Sequence, residues 1–573
     1  MKKTKILASI LAFVLIFGSM SALSLTATAT DTNSDSKVDF YQALDVNANK
    51  TISYVSPSEG IDADGINTYE EFAYALQNYG TDKFPAQVIE LTGDLDMGGL
   101  TMESTIFGNL VDGMVIDGNG YAIKNLDINY WQNRGLFEVA TNAHFVIKNL
   151  DFGTAEAPIT GILGGGQWVN HGLILGRSSY GGDEAYSFDI DNVDMYVSLN
   201  RSNQGYKGGL GAMFGKAPLS ADSSIKNSNV YGALTHNAKT GNCYTAAFVG
   251  NITLPEGGNA TLTIENCANY ATLTGGNCTA AFVGSQEGGV DVVLNNCINY
   301  GTIVSEGDSV SGIIAATKAG NATIDNCVNL GTVTGASNVA GILGLGNADG
   351  TINITNSINA ANITAGADKA VSHYANTVTS VTNSSALATA TLTGTETAFE
   401  GNGTLADLTA VAAKMRELKM GYYVVDGDKV VVDSKVPQIV GAQTTAVADG
   451  KFDVRFISVL KNDDLSQYSK VGFTVAATAS NGQTLNESKD STIVFTSLNA
   501  SVDGAMKTYK NYELGGDYIT AIAWTGVPAS DGETNHTVSF TVTPYAVSLD
   551  GATTYSGISY TFTYVNGVYT VAD

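Results

Sequence analysis

Four segments decide the fold: Ile264-Glu-Asn-Cys-Ala-Asn-Tyr270, Leu294-Asn-Asn-Cys-Ile-Asn-Tyr300, Ile324-Asp-Asn-Cys-Val-Asn-Leu330 and Ile354-Thr-Asn-Ser-Ile-Asn-Ala360. Asn266, Asn296, Asn326 and Asn356 recur at one interval, and so do Asn269, Asn299, Asn329 and Asn359. Cys267, Cys297 and Cys327 align as well, with Ser357 closing the series. A constant interval of 30 residues is the mark of a solenoid, in which each repeat is one unit stacked on the last.

Within a unit the β-prone runs are short and no helical period exists. In the third unit they are Ala322 to Leu330, Thr332 to Thr334 and Val339 to Leu345, separated by residues that suit tight turns. Three strands per turn, each pairing with its copy in the next coil, give a parallel β-helix whose coils lie about 4.8 Å apart. Stacked asparagines are then expected to hydrogen-bond along a ladder, and the three aligned cysteines to form a buried rank of small side chains. Cys243 and Cys278 belong to another pair of matching segments, residues 241–250 and 276–284. Five cysteines without a CxxC spacing or a nearby histidine pair suit neither a disulfide framework nor a zinc or redox centre.

Working outward, Val88 to Met97, Val115 to Ile128, Phe145 to Phe152 and Ser224 to Val230 repeat the theme with longer insertions. Residues 67–79 read as a short amphipathic helix with Asn67 or Thr68 as its N-cap, placed to cover the open end of the solenoid. Thr404 to Leu418 is a second helix candidate, with Leu405, Leu408, Ala412 and Met415 on one face, followed by a hairpin over 422–432; together they read as the C-terminal cap. From about Thr444 the pattern changes to alternating strands, among them Lys451 to Val459, Lys470 to Ala477, Thr492 to Ser497 and Thr537 to Ala546. The expected fold class is therefore all-β: a right-handed parallel β-helix over residues 65–440 followed by an antiparallel, immunoglobulin-like β-sandwich over 444–573.

The chain carries 55 acidic against 29 basic residues, a formal charge of -26. Nucleic acid and anionic membrane surfaces are thereby excluded as partners, because both need clustered Lys and Arg. Lys2, Lys3 and Lys5, the apolar run Ile6 to Phe17 and the small residues ending at Ala29 have the order of a secretory signal peptide, expected over 1–29. The apolar run is too short to span a bilayer, so a secreted, extracellular or loosely surface-associated protein without membrane insertion is expected. Residues 30–64 are polar. Asp45 to Thr51 and Asp62 to Gly65 resemble the start of calcium loops, but Ser56 and Ala73 stand where the acidic twelfth ligand belongs, so both read as acidic loops.

The run 91–99 (LTGDLDMGG), then 107–128 and Arg134-Gly-Leu-Phe-Glu138, resembles the opening coils of pectate-lyase-like β-helix proteins with GLUG-type repeats. The later AAFVG, AGILG and NCVNLGTV segments are similar to the glycine-rich coils of that family, over roughly residues 65 to 440. The segments VRFISVL, YSKVGFTV and FTVTPYAVSLDG resemble a C-terminal module of secreted proteins from Gram-positive anaerobes. The resemblance implies the β-helical fold and a secreted or surface-exposed protein, and names no activity.

No catalytic centre is recognisable. The histidines, His144, His171, His236, His373 and His536, are scattered singly, and no closely spaced aspartate pair of the polygalacturonase type occurs. The richest patch lies between Tyr130 and Tyr206. There Tyr130, Trp131, Trp168, His171, Arg177 and Tyr180 are the glycan-binding candidates, since aromatic faces beside polar groups suit sugar stacking. Asp189, Asp191 and Asp194 are the candidate calcium site, calcium being the only cofactor the composition suggests. The alternative for the patch is that its tryptophans pack loops onto the coil and its acids are solvated. Three functional readings follow: a non-catalytic scaffold or adhesin that binds glycans or cell-surface polymers, a polysaccharide lyase or glycoside hydrolase with a divergent site, and a purely structural surface protein. Neither the glycan nor the oligomeric state is legible at this level.

Overall fold

The computed structural model describes residues 60–572 apart from 63, 85–87, 103–106, 130–133, 165–168, 178–183, 202–206, 238–242, 256–257, 348, 379, 398, 400–401, 448–449, 462–466, 481, 483, 493–505, 509–516 and 529–535. The expected signal peptide and the first calcium-like loop lie outside these residues. Among those described, no helix is long and apolar enough to cross a membrane.

The first unit is a parallel β-helix. One coil runs through Thr261–Glu265, Ala268–Asn269, Thr272–Gly275, Thr279–Ala280 and Val283–Gln286, and the next begins at Asp291. Every strand pairs in parallel with its copy one coil on: Ile264 sits beside Leu294, Leu294 beside Ile324, and Ile324 beside Ile354. The coils hold five strand segments, not the three expected. The run from Ala322 to Leu330 is turned at Asn326, whose φ of 51° is left-handed. The run from Val339 to Leu345 bends between Ala340 and Leu343, sending its two halves into different sheets.

That left-handed turn is the invariant of the helix. Asn149, Asn192, Asn227, Asn266, Asn296, Asn326, Asn356 and Asn383 all have φ between 48° and 54°. Asparagine is the side-chain-bearing residue that best tolerates this conformation. The second asparagine series is buried at the next bend and forms the expected ladder: Asn269 donates to Asn299, Asn299 to Asn329 and Asn329 to Asn359, each at 2.8 Å. Each Nδ2 in the three coils from Asn269, Asn299 and Asn359 also reaches the carbonyl two residues on, so the ladder pins the bend as well as the stack.

The expected cysteine rank is present. Cys267, Cys297 and Cys327 are buried and free, and each thiol donates to the carbonyl two residues back, at 3.1 to 3.3 Å. Ser228, Ser357 and Ser384 make the same bond at their own coils. The position therefore wants a small buried donor, and burial raises the thiols of Cys267 and Cys327 well above the ordinary range, which leaves them unreactive. Cys243 and Cys278 do not stack, because the pairing is anchored at Thr245 and Thr279.

The glycine-rich AAFVG and AGILG segments have a packing cause. Chain segments Cys243–Ala246 and Val249–Thr253 lie in two sheets whose outer sides close on each other. A Cβ on Gly250 would stand 2.8 Å from both the Gly215 oxygen, on the adjacent strand of its own sheet, and the Leu210 nitrogen, on the other sheet. Only glycine or a very small residue fits there. At the mouth of this fold Tyr244, Cys278, Ala280, Ala315 and Ala316 form a small apolar cluster separate from the main core.

The cap at the start is as expected. Helix α1 (Tyr69–Asn78) begins at Thr68, which with Glu71 makes a reciprocal capping box. Phe72 meets Phe107 and Phe137 edge-on at 5.9 and 6.4 Å and closes the core. The Glu71 carboxylate is taken up by the Thr68 hydroxyl and backbone, and Asp62 closes a turn onto Asp64, so this loop is tied to the helix cap. Helix α2 (Leu408–Glu417), capped by Asp407, buries Val411, Ala412 and Met415 and precedes the hairpin Tyr423–Asp426 and Lys429–Val432.

The second unit is antiparallel throughout. One sheet has the order Gln438–Val447, Lys451–Lys461, Asp517–Pro528, Met506–Thr508; the other runs Thr484–Thr492, Tyr468–Ala479, Thr537–Ser548, Tyr560–Val565, Val568–Ala572. Phe452, Val454 and Phe456 from the first meet Phe473, Val475, Phe540, Val542 and Phe562 from the second, which is the core of a β-sandwich. Its first strand starts at Gln438, so the boundary expected at 444 falls inside a strand. The weakly alternating sequence of Gln438–Val447 is a strand because Lys451–Lys461 pairs along nearly all of it.

Candidate functional site

Only part of the patch expected between Tyr130 and Tyr206 falls on described residues. Tyr130, Trp131, Trp168 and Tyr180 lie outside the described residues. Arg177 is half-buried. His171 is 1% exposed, so it cannot meet a glycan at the surface. Its Nε2 is 3.0 Å from the Gly164 oxygen, and burial, with Arg201 nearby, pushes its pKa down to about 3. An isolated aromatic-like histidine in a loop-rich stretch looks like a surface group in sequence; stacking of neighbouring coils puts it inside.

The three acids are not gathered around a common point. Asp189 faces His144, Nε2 to Oδ2 3.3 Å, and accepts from the Ser224 hydroxyl. Asp191 accepts from Asn227 at 2.7 Å and stands in register between Lys148 and Lys226, in a ladder that alternates Asp117, Lys148, Asp191, Lys226, Glu265. Asp194 accepts from the backbone and side-chain nitrogens of Asn229, both at 2.9 Å. Among the described residues, no group of three or more His, Cys, Asp or Glu is placed to hold a metal ion.

His144 also contacts the Ser187 hydroxyl at 3.0 Å, which completes a serine, histidine and aspartate set. Ser187, the first residue of the strand Ser187–Asp191, is 3% exposed, too enclosed for a substrate carbonyl to approach its oxygen. The raised pKa of His144, due first to Asp189, is that of a surface ion pair.

A more regular site lies on the face that follows the asparagine ladder. Tyr196, Tyr231, Tyr270 and Tyr300 stack on successive coils with centroids 4.6, 4.8 and 4.6 Å apart and ring planes 7°, 4° and 5° from parallel. From each tyrosine the strand alternates outward and inward: Tyr270, Thr272 and Thr274 point out, while Ala271 and Leu273 are buried. The same alternation gives Tyr300, Thr302 and Val304 in the next coil, then Leu330, Thr332 and Thr334. Two ranks of short side chains thus run beside the tyrosine rank. One begins Thr101, Asp127, Thr160, Ser198, Ala233, Thr272 and continues through Thr302, Thr332, Asn362 and Thr391. Hydroxyls in it reach along the rank, from Thr332 to Thr302 at 3.5 Å and from Thr391 to Asn362 at 3.0 Å.

The ring faces of the inner tyrosines are covered by their neighbours, so the rank presents ring edges and phenol groups outward. Ring edges carry partial positive charge and the hydroxyls can donate or accept. Burial raises the Tyr196 and Tyr231 phenols above their ordinary range, followed by the nearby Asp194 carboxylate, so both stay protonated donors. Sequence reading passed over this site. Its signal is the outward series after each buried asparagine, Tyr270, Thr272, Thr274, then Tyr300, Thr302, Val304, then Leu330, Thr332, Thr334, legible once the 30-residue register is imposed.

No family model matches the chain, and no curated protein matches it. Three solved structures are similar. A putative immunoglobulin A1 protease from Bacteroides ovatus shares 16% identity over 64% of this chain and 91% of its own, with a TM-score of 0.33. The enzymatically active domain of tailspike protein 4 of bacteriophage CBA120 shares 10% identity over 84% of this chain and 68% of its own, TM-score 0.21. A tailspike protein, gp49 of the Acinetobacter baumannii bacteriophage Fri1, described as a capsular polysaccharide depolymerase, shares 11% over 82% and 88%, TM-score 0.20. The expected GLUG-type repeats and Gram-positive module have no counterpart among these findings.

Proposed function

We propose that this chain is a secreted, non-catalytic scaffold that binds glycans or cell-surface polymers through the tyrosine-bordered face of its β-helix. The supporting observation is the four-tyrosine rank with its flanking threonines, a surface of ring edges, methyls and hydroxyls that suits polyhydroxylated partners. The charge of -26 favours neutral glycans over polyanionic ones. Hydrolysis or elimination would need a carboxylate pair or an accessible nucleophile, and the nearest arrangement among the described residues keeps Ser187 closed.

The test is size-exclusion chromatography of the mature chain with neutral and acidic polysaccharides, with and without calcium. Comigration with intact neutral polymer is expected, weakened about fivefold to tenfold in Tyr270→Ala, equivalent to about 1 kcal/mol. Shortening of the polymer overturns the non-catalytic reading. Absence of comigration across the panel overturns glycan binding.

A further inference from the structure

We infer that the partner of this face is the flat surface of an ordered, uncharged β-linked glucan of the crystalline cellulose type, not a single dissolved chain; the inference rests on the glycan reading above. Four observations carry it. Each tyrosine plane lies within 7° of its neighbour's, and the strands of this face pair from Leu273 to Leu392 without a register shift. An open sheet normally twists by about 20° per strand, whereas successive tyrosine rings here turn by only 4° to 7° per coil, which makes the rank flat, as sheets held by side-chain ladders are. Flatness matters because a dissolved oligosaccharide is held by wrapping it in a cleft, whereas a flat protein face touches only one side of it.

The face is also periodic. Thr272, Thr302 and Thr332 in one rank and Thr274, Val304 and Thr334 in the other repeat one short side chain per coil, at the spacing the stacked rings measure as 4.6 to 4.8 Å. Each contact is weak. A repeated partner sums many of them without further loss of freedom, because the first contact aligns the rest. In the late coils the buried ladder Asn269, Asn299, Asn329, Asn359 sits directly before Tyr270, Tyr300, Leu330 and Ala360 and holds the ranks in place before binding, which lowers the ordering cost.

Charge supplies the third observation. In a chain with 55 acidic residues, the long threonine rank carries a single charged member, Asp127, near one end. From Thr272 through Thr302, Thr332 and Asn362 to Thr391 the rank is uncharged, and an uncharged stretch on so acidic a protein matches an uncharged partner. The fourth is chemical: threonine offers a methyl beside a hydroxyl, which complements a sugar sheet that alternates C–H surface with hydroxyl groups.

The experiment is sedimentation of the full mature chain with microcrystalline cellulose, in parallel with gel-shift on soluble neutral β-glucan. Thr302→Lys raises a long charged knob in the middle of the face while leaving the tyrosines; Thr323→Lys, on an exposed position of a different face, is its control. The expected result is binding to cellulose that falls at least tenfold in Thr302→Lys and is unchanged in Thr323→Lys, with equal melting temperatures. Binding to soluble glucan but not to cellulose overturns this inference and leaves the glycan reading standing. Cellulose binding that ignores Thr302→Lys overturns it by moving the contact elsewhere. Partition into growing ice without cellulose binding also overturns it, since the ranks would then be ordering water. Binding to no glycan of either kind removes the inference and the glycan reading together.

Discussion

The early and late coils of the β-helix solve the same stacking problem differently. Between Asn149 and Asn192 one coil takes 43 residues, and from Asn227 to Asn266 it takes 39, whereas from Asn266 to Asn296 it takes 30. The early interior is wide and aromatic: Phe188 stacks on Phe214 at 4.3 Å and lies 6.0 Å from Phe145. The late interior is built from Ile, Leu and Val, with Ile313 and Ile342 filling the layer that Phe248 and Phe282 occupy before them. The buried asparagine ladder belongs to the late coils alone; in register before Asn269 stand Val230, Met195 and Phe152. The left-handed asparagine turn persists through both. Coil length is therefore free to vary so long as that one backbone turn is kept, and the polar ladder is an option open only to narrow coils.

Breaking the wide core should cost most. Phe188→Ala is expected to destabilise the early coils by about 4 kcal/mol, because Phe214 and Phe145 cannot collapse into the space. Coils of a solenoid can melt separately, so the reading should come from hydrogen exchange resolved by segment, with the late coils unaffected. In the narrow coils Asn329→Leu should cost about 3 kcal/mol, since it leaves the Asn299 amide and the Asn359 carbonyl oxygen without ladder partners in a dry site. A similar loss is not expected from Met195→Leu at the register-equivalent early position.

Acid should sharpen the contrast further. Folded His171 stays neutral down to about pH 3, while an unfolded histidine takes its proton near 6.5. The unfolded state therefore binds more protons over that window, and stability is lost as pH falls from 6.5 toward 3, at about 1.4 kcal/mol per pH unit. His171→Asn should flatten the slope in early-coil exchange measured against pH. The smallest effect is expected at the cysteine rank, where Cys297→Ser should change stability by less than about 1 kcal/mol, because Ser228, Ser357 and Ser384 already fill that position. Urea melts of this variant check it.

Most of the fold was legible because ladder residues announce themselves. A side chain that must bond its own copy in the next coil has to recur, and Asn269, Asn299, Asn329 and Asn359 do so visibly. The capping box at Thr68 and Glu71 is local and was equally plain. The five-segment coil was less so, because a left-handed asparagine inside a β-prone run looks like part of one strand until its φ is known. The site was the least legible. His171 and the acids around Asp191 were singled out for their types, yet coils about 40 residues away bury the one and supply lysines to the other. The tyrosine and threonine ranks went unnoticed because no single coil contains them.

By itself the sequence determined the β-helical class, the length of the regular coils, the asparagine and cysteine ladders, the capping helices and the presence of a following sandwich. Each of these follows from near neighbours in the chain or from exact repetition along it. The tertiary structure alone decided that two sheets close on each other at the glycines, that His171 is interior, and that Tyr196, Tyr231, Tyr270 and Tyr300 form one continuous edge. Those outcomes depend on which residues of different coils share a register, and insertions in the early coils hide that register until the strands are paired.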